Sequence, residues 1–285
     1  MQPEPPNLDG FHVRMEGMMK KKDNLFAKYL FPLYFLLAYL FSWWTVPIAD
    51  GALFPYGPTL AAVLVLAISS GRTGLREWWS RIIHLRAGWW YLIGPVIMVT
   101  SLLGAFILNL LSGAMVSISP KLPDPAIWIQ LLLLGGLWEE PGWTGFALPK
   151  LQEKFNQHKS GVLIATLIMA LFRAIWHLPL LVSGTLPWFD VFGYIIAFQV
   201  IITWLYNRSG GSVPVVMLFH YSSNLLAGGM MLLVFSGSEK MTYWMLFTAF
   251  AGLIALLILL KEGTSLGKST LQMSKVNHPG LIGEK

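Results

Sequence analysis

The 285-residue chain has no cysteine, which rules out disulfides, thiol nucleophiles and cysteine-ligated iron–sulfur clusters. Charge is scarce as well: Asp, Glu, Lys and Arg make up 12% of residues, against about 25% in a typical soluble domain. No HExxH offers a helix-borne zinc site and no GxGD an aspartyl site, while the GxSxG string at 263–267 lies in the polar stretch after the last apolar run and opens no helix that would make it a nucleophile elbow. What is present is apolar, with 55% hydrophobic residues and a mean hydropathy of +0.60. This is the composition of a membrane protein.

Apolar runs recur at roughly 29–48, 57–71, 88–112, 126–147, 160–182, 190–206, 213–235 and 242–260. Numbering the connections in turn sorts the cations. With the N-terminus inside, the inner segments hold Arg14, Lys20, Lys21, Lys22 and Lys28, then Arg72, Arg76, Arg81 and Arg86. They also hold Lys150, Lys154, Lys159, Arg208, Lys261, Lys268, Lys275 and Lys285, while the outer connections hold Lys121 and Lys240. Positively charged loops stay cytoplasmic. The expectation is an all-α, polytopic membrane bundle of about eight transmembrane helices with both termini cytoplasmic. The net charge of +6 then reflects topology, and no nucleic acid is implied.

Three regions follow: a polar and basic N-terminal segment over 1–25, a single transmembrane domain over 26–262, and a flexible polar tail over 263–285. The first apolar run is too long for a cleavable signal, and no small-residue cleavage site follows it. Residues 72–90 read as an amphipathic helix lying in the membrane interface, with Trp and Arg at headgroup level.

Against this background Glu139 and Glu140 stand out, inside the run WIQLLLLGGLWEEPGWTGFAL. A carboxylate at membrane depth costs on the order of 2.5–3.5 kcal/mol by insertion scales, so such residues are kept where they act. Other deep polar residues are Arg173 and His177 in LFRAIWHLPL, and His220 and Asn224 in LFHYSSNLL. Each of these pairs is spaced i, i+4 and so shares a helix face. Pro141-Gly142 directly after the glutamates loosens the helix, and Pro179 kinks the chain just after His177. Gly135 and Gly136 permit close helix approach. Turning three polar faces toward one cavity is the least costly arrangement.

Two carboxylates, two imidazoles and an amide suit hydrolysis by a metal-bound or glutamate-activated water. Ser222 and Ser223 adjoin His220 in sequence, but helix neighbours do not face each other, so a Ser–His pair is not expected. A proton or ion relay also uses Glu and His at depth. A proton-coupled transporter is disfavoured because no inverted repeat or paired broken helices are visible.

WEEPGWTGFALPKLQ, then WHLPL, then HYSSN, resembles the CPBP intramembrane proteases, in order and spacing. That family includes CAAX prenyl endopeptidases of the Rce1 type and lysostaphin-resistance or abortive-infection-like proteins. The resemblance covers about 125–235. It implies a helical bundle with a conical cavity opening to the cytosol, and an endopeptidase cutting near the cytosolic membrane face. It implies Glu139 as the residue activating water and Glu140 as its partner. It implies that His220 and Asn224 hold the oxyanion, with His177 a further transition-state or metal group, and that Glu139, His177 and His220 hold zinc if a metal is used.

Two positions depart from the family pattern. The Arg of EExxxR falls on Thr144, and the aromatic four residues before the second-motif His falls on Arg173. The pair reads as a swap, with Arg173 as the supporting cation for the glutamates in place of the lost Arg. The expected partners are a peptide or protein substrate entering from membrane or cytosol, and the lipid bilayer. WHLPL and the short loops point to a bacterial cell membrane, where a prenylated substrate is not expected. The competing expectation is a catalytically silent member acting as a membrane binding or immunity protein.

Overall fold

A computed structural model describes residues 29–116, 124–133, 135–230 and 233–269. The segment read as a polar N-terminus over 1–25, and the tail beyond 269, lie outside the described residues. Within them the chain is helical and no strand occurs.

Two short helices open the bundle, α1 (Tyr29–Trp43) and α2 (Gly57–Ser69), with Pro58 in the first turn of α2 where its missing N–H costs nothing. α3 (Gly71–Ile82) is the predicted amphipathic segment. It does more than lie on the surface, because Trp78 is buried and its Nε1 donates to the Pro141 carbonyl at 2.8 Å. α4 (Trp90–Leu111) is a 22-residue helix, about 33 Å at 1.5 Å per residue. α5 (Pro125–Leu133) leads to α6 (Gly136–Gly142), which carries the glutamates. Past Pro141 the helix widens into a π turn over Trp143–Ala147 before tightening again in α7 (Leu148–Lys154).

α8 (Gly161–Trp176) stops at His177, and α9 (Leu178–Val182) restarts with Pro179 in its first turn, so the proline marks a full break. A second π turn at Asp190–Tyr194 runs straight into α10 (Ile195–Arg208). α11 (Val213–Ser222) widens into a third, over Ser223–Met230, and α12 (Gly237–Glu262) closes the bundle.

Three helical stretches are long and apolar enough to cross a membrane: Trp90–Leu111, Asp190–Arg208 and Gly237–Ser265. Tyr29–Trp43, Gly57–Ser69 and Gly161–Trp176 are apolar but shorter. Burial separates their roles. The Asp190–Arg208 stretch is 78% buried and forms the hub, while the other two long stretches are 22% and 28% buried. α4 accordingly turns Leu92, Val96, Val99, Leu103 and Ile107 outward, and α12 turns Leu253, Leu256, Leu257 and Leu260 outward. Exposed apolar faces of this kind suit lipid, with all backbone groups satisfied inside the helices.

The start of the segment read as a flexible tail is folded onto the bundle. Leu266 is fully buried, its carbonyl accepts from Asn207 Nδ2 at 3.1 Å, and Thr264 Oγ1 donates to the Lys159 carbonyl at 3.3 Å. An apolar residue in a polar stretch was the sequence signal for this anchor.

Candidate active site

Glu140 is fully buried and every oxygen is engaged. Arg173, only 1% exposed, donates from Nη1 to Oε1 at 2.8 Å and from Nη2 to Oε2 at 3.2 Å. This is a two-pronged guanidinium–carboxylate pair, the strongest geometry available to these groups. His220 Nδ1 lies 2.7 Å from Oε1, and the Thr144 hydroxyl donates to Oε2 at 2.5 Å. Because a carboxylate only accepts, His220 carries its proton on Nδ1.

Glu139 differs from its neighbour. Its Oε2 is 3.9 Å from Arg173 Nη1, inside ion-pair range but without a hydrogen-bond partner. Glu139 lines the cavity, together with Arg173, Trp176, His177, His220 and Asn224. Two adjacent carboxylates are tolerable at this depth because one cation serves both. One is held on all sides; the other keeps a free oxygen.

The third nitrogen of the Arg173 guanidinium is also placed. Its Nε donates to Gln199 Oε1 at 3.1 Å, and the guanidinium carbon sits 5.6 Å from the Trp143 and Phe198 ring centres. The flat, weakly hydrated guanidinium is suited to such a sandwich. His177 Nδ1 lies 2.8 Å from the Arg173 carbonyl, one turn back, so the proton is on Nδ1 and Nε2 is the acceptor.

Close helix approach brings α11 to the glutamates. A Cβ on Gly135 would come 2.1 Å from Asn224 Nδ2, and one on Gly136 would come 2.6 Å from His220 Cβ. On the other side, a Cβ on Gly142 would meet the Pro58 carbonyl carbon at 2.2 Å. Glycine at these positions is what lets α2 and α11 touch α6. The Thr59 hydroxyl adds a bond to the Trp138 carbonyl.

The structure thus brings Glu139, Arg173, His177, His220 and Asn224 to one cavity of about 450 Å³, with Glu140 behind it. Ser223 bonds Tyr194 at 2.5 Å and Ser222 donates to the Leu218 carbonyl, so neither serine is paired with His220. Glu139, His177 and His220 share the cavity, yet among the described residues no group of three such side chains converges closely enough to hold a metal ion. The cation beside the glutamates is Arg173 itself.

Sequence reading missed Gln199, Trp78 and the hydroxyl role of Thr144. Gln199 could have been found as a polar residue in the middle of an apolar run. Trp78 could not, since nothing in an interfacial helix shows which tryptophan points inward. Besides Trp78, Arg81 of the same helix donates to the Gly145 carbonyl at 3.2 Å, so α3 holds the chain just before the widened turn and at its middle.

Residues 121–226 match the family model for type II CAAX prenyl endopeptidases, described as Rce1-like. Over this segment the chain is similar to that family. CAAX prenyl protease 2 of Methanococcus maripaludis is 28% identical over 106 residues, covering 33% of this chain and 37% of that protein. The chain thus matches little more than a third of the length of this curated relative. The matched segment includes α6, α8 and α11, which carry the glutamates, Arg173 and His220, together with His177 just after α8 and Asn224 just after α11.

Proposed function

We propose that the protein is an intramembrane endopeptidase in which Glu139 activates water. The Rce1-like match and the CAAX prenyl protease relative support a protease of this type. The observation that carries the assignment of roles is the contrast between the two glutamates. Glu140 has both oxygens filled by Arg173, His220 and Thr144, so it is the positioning residue. Glu139 lines the cavity, and its buried Oε2 has no hydrogen-bond partner, so this is the carboxylate left to take a proton.

Glu139 takes a proton from water as the oxygen bonds to the substrate carbonyl carbon, and that carbonyl oxygen becomes an oxyanion. The Asn224 amide, held against Gly135, donates to it. Collapse of the intermediate breaks the C–N bond, and the proton on Glu139 passes to the leaving amine. His177 Nε2 is a further acceptor at the cavity wall, suited to ordering the water. Positioned acid–base catalysis of this sort contributes about 10²–10⁴-fold.

The test uses purified protein in nanodiscs and an internally quenched peptide tethered to the bilayer. E139Q is expected to abolish cleavage while keeping the wild-type melting curve. Cleavage that survives E139Q at wild-type rate would overturn the assignment.

A further inference from the structure

α3 has two faces with different surroundings. Gly74, Trp78 and Arg81 follow one another at i, i+4 and i+7 and turn toward the bundle. Gly74 and Trp78 are buried, while Trp78 and Arg81 donate to the Pro141 and Gly145 carbonyls. Trp78 also lies along the chain between those two carbonyls, since a Cβ on Gly145 would come 3.3 Å from its Nε1. Thr144, inside the same π turn, donates to Glu140 Oε2. Whatever moves α3 therefore moves a stretch of chain that holds one of the glutamates.

The other stripe of α3 carries Arg72, Arg76 and Trp79, again at i, i+4 and i+7, and Ile83 continues it just past the helix. All four are exposed, as are Leu85, Arg86 and Trp89 in the connection to α4. None of the described ion pairs includes Arg72, Arg76 or Arg86. Glu77, the acid of this helix, falls off the stripe. Cations interleaved with Trp, Ile and Leu suit a helix lying among lipid headgroups, with its apolar side chains at the acyl boundary. Guanidinium groups bind phosphate with two parallel hydrogen bonds, and a surface of unpaired ones attracts excess negative charge. Charge complementarity thus selects an anionic bilayer surface as the partner of this face.

We propose that the exposed face of α3 binds anionic phospholipid headgroups, and that Trp78 and Arg81 pass this binding on to the π turn beside the glutamates. A helix seated on headgroups keeps its inner donors on Pro141 and Gly145, and the turn that carries Thr144 is steadied with it. Ser212 Oγ donates to the His84 carbonyl at 2.7 Å, so the chain beyond α3 is fastened to the start of α11 as well. The surface and its coupling stand apart from the cavity and hold whether or not peptide is hydrolysed there.

Hydrogen exchange read by mass spectrometry tests both parts on the full chain, without turnover. The protein is reconstituted in nanodiscs of phosphatidylcholine alone or of phosphatidylcholine mixed with phosphatidylglycerol. The anionic lipid is expected to slow exchange at least ~5-fold over 71–86 and over 141–148. R72Q/R76Q/R86Q is expected to remove both differences, and R72K/R76K/R86K to keep them. Equal exchange in the two bilayers, or slowing that survives the triple glutamine variant, overturns lipid binding at this face. W78F is expected to keep the slowing over 71–86 and lose it over 141–148. R81Q, the milder change at a half-buried side chain, is expected to weaken it there in the same way. Slowing over 141–148 that persists in both W78F and R81Q overturns the coupling.

Discussion

The Arg173 guanidinium bridges the two glutamates unequally, 2.8 Å from Glu140 Oε1 and 3.9 Å from Glu139 Oε2. Removing it strands a fully buried carboxylate. Breaking one side of a buried pair costs about 3–5 kcal/mol. R173L is therefore expected to lower the melting temperature sharply and to lose folded protein in detergent, read by tryptophan fluorescence and size exclusion.

Thr144 and Arg173 form a testable exchange. Thr144 is fully buried and donates to Glu140, so T144R alone adds a second guanidinium to a filled space and is expected to destabilise. R173F/T144R restores the common arrangement of an Arg after the glutamates and an aromatic before the histidine. The double variant is expected to be more stable than either single one. Strictly additive melting shifts in that double-mutant cycle would sink the idea that the positions exchange roles.

The two glutamates should separate in experiment. E140Q removes the charge that Arg173 and His220 share and is expected to reduce both stability and cleavage. E139Q is expected to change cleavage alone. Equal loss of stability in both variants would show that Glu139 is also structural.

Adjacent glycines make a graded test of close approach. A Cβ on Gly136 meets the Met217 carbonyl at 2.8 Å and His220 Cβ at 2.6 Å, neither of which can yield cheaply. G136A is expected to cost about 1–3 kcal/mol, the usual range for overpacking. G135A instead pushes the Asn224 amide, a side-chain end that can rotate, so cleavage should fall more than stability. G252A meets nothing within 4 Å and serves as the control.

Chelation offers a fifth check. Because Arg173 occupies the position beside the glutamates, treatment with EDTA is expected to leave cleavage within about twofold of the untreated rate, well short of the 10²–10⁴-fold that a working acid–base group supplies. Recovery of activity by added zinc after chelation would count against the glutamate-activated water.

Much of the site was legible because membrane burial of charge is costly. Glu139, Glu140, Arg173, His177 and His220 announced themselves as polar side chains in apolar runs, and i, i+4 spacing placed Arg173 and His177 on one face. Pro141 and Pro179 marked where helices widen and break. Gln199 was legible as a lone amide in an apolar run, whereas Trp78 was hidden, since it is one of several tryptophans in an interfacial stretch whose inward face is set only by packing.

The residues that had to be buried together were thus determined by sequence alone, through composition, spacing and the cost of placing charge in hydrocarbon. Tertiary structure decided how they divide the work. Only the docking of α11 against the glycines beside the glutamates, with Arg173 reaching across from α8, assigns Arg173 and His220 to Glu140 and leaves Glu139 Oε2 without a hydrogen-bond partner. Helix periodicity shows which side of a helix is polar, whereas the pairing itself depends on side chains far apart in the chain, such as Glu140 and His220, meeting in space.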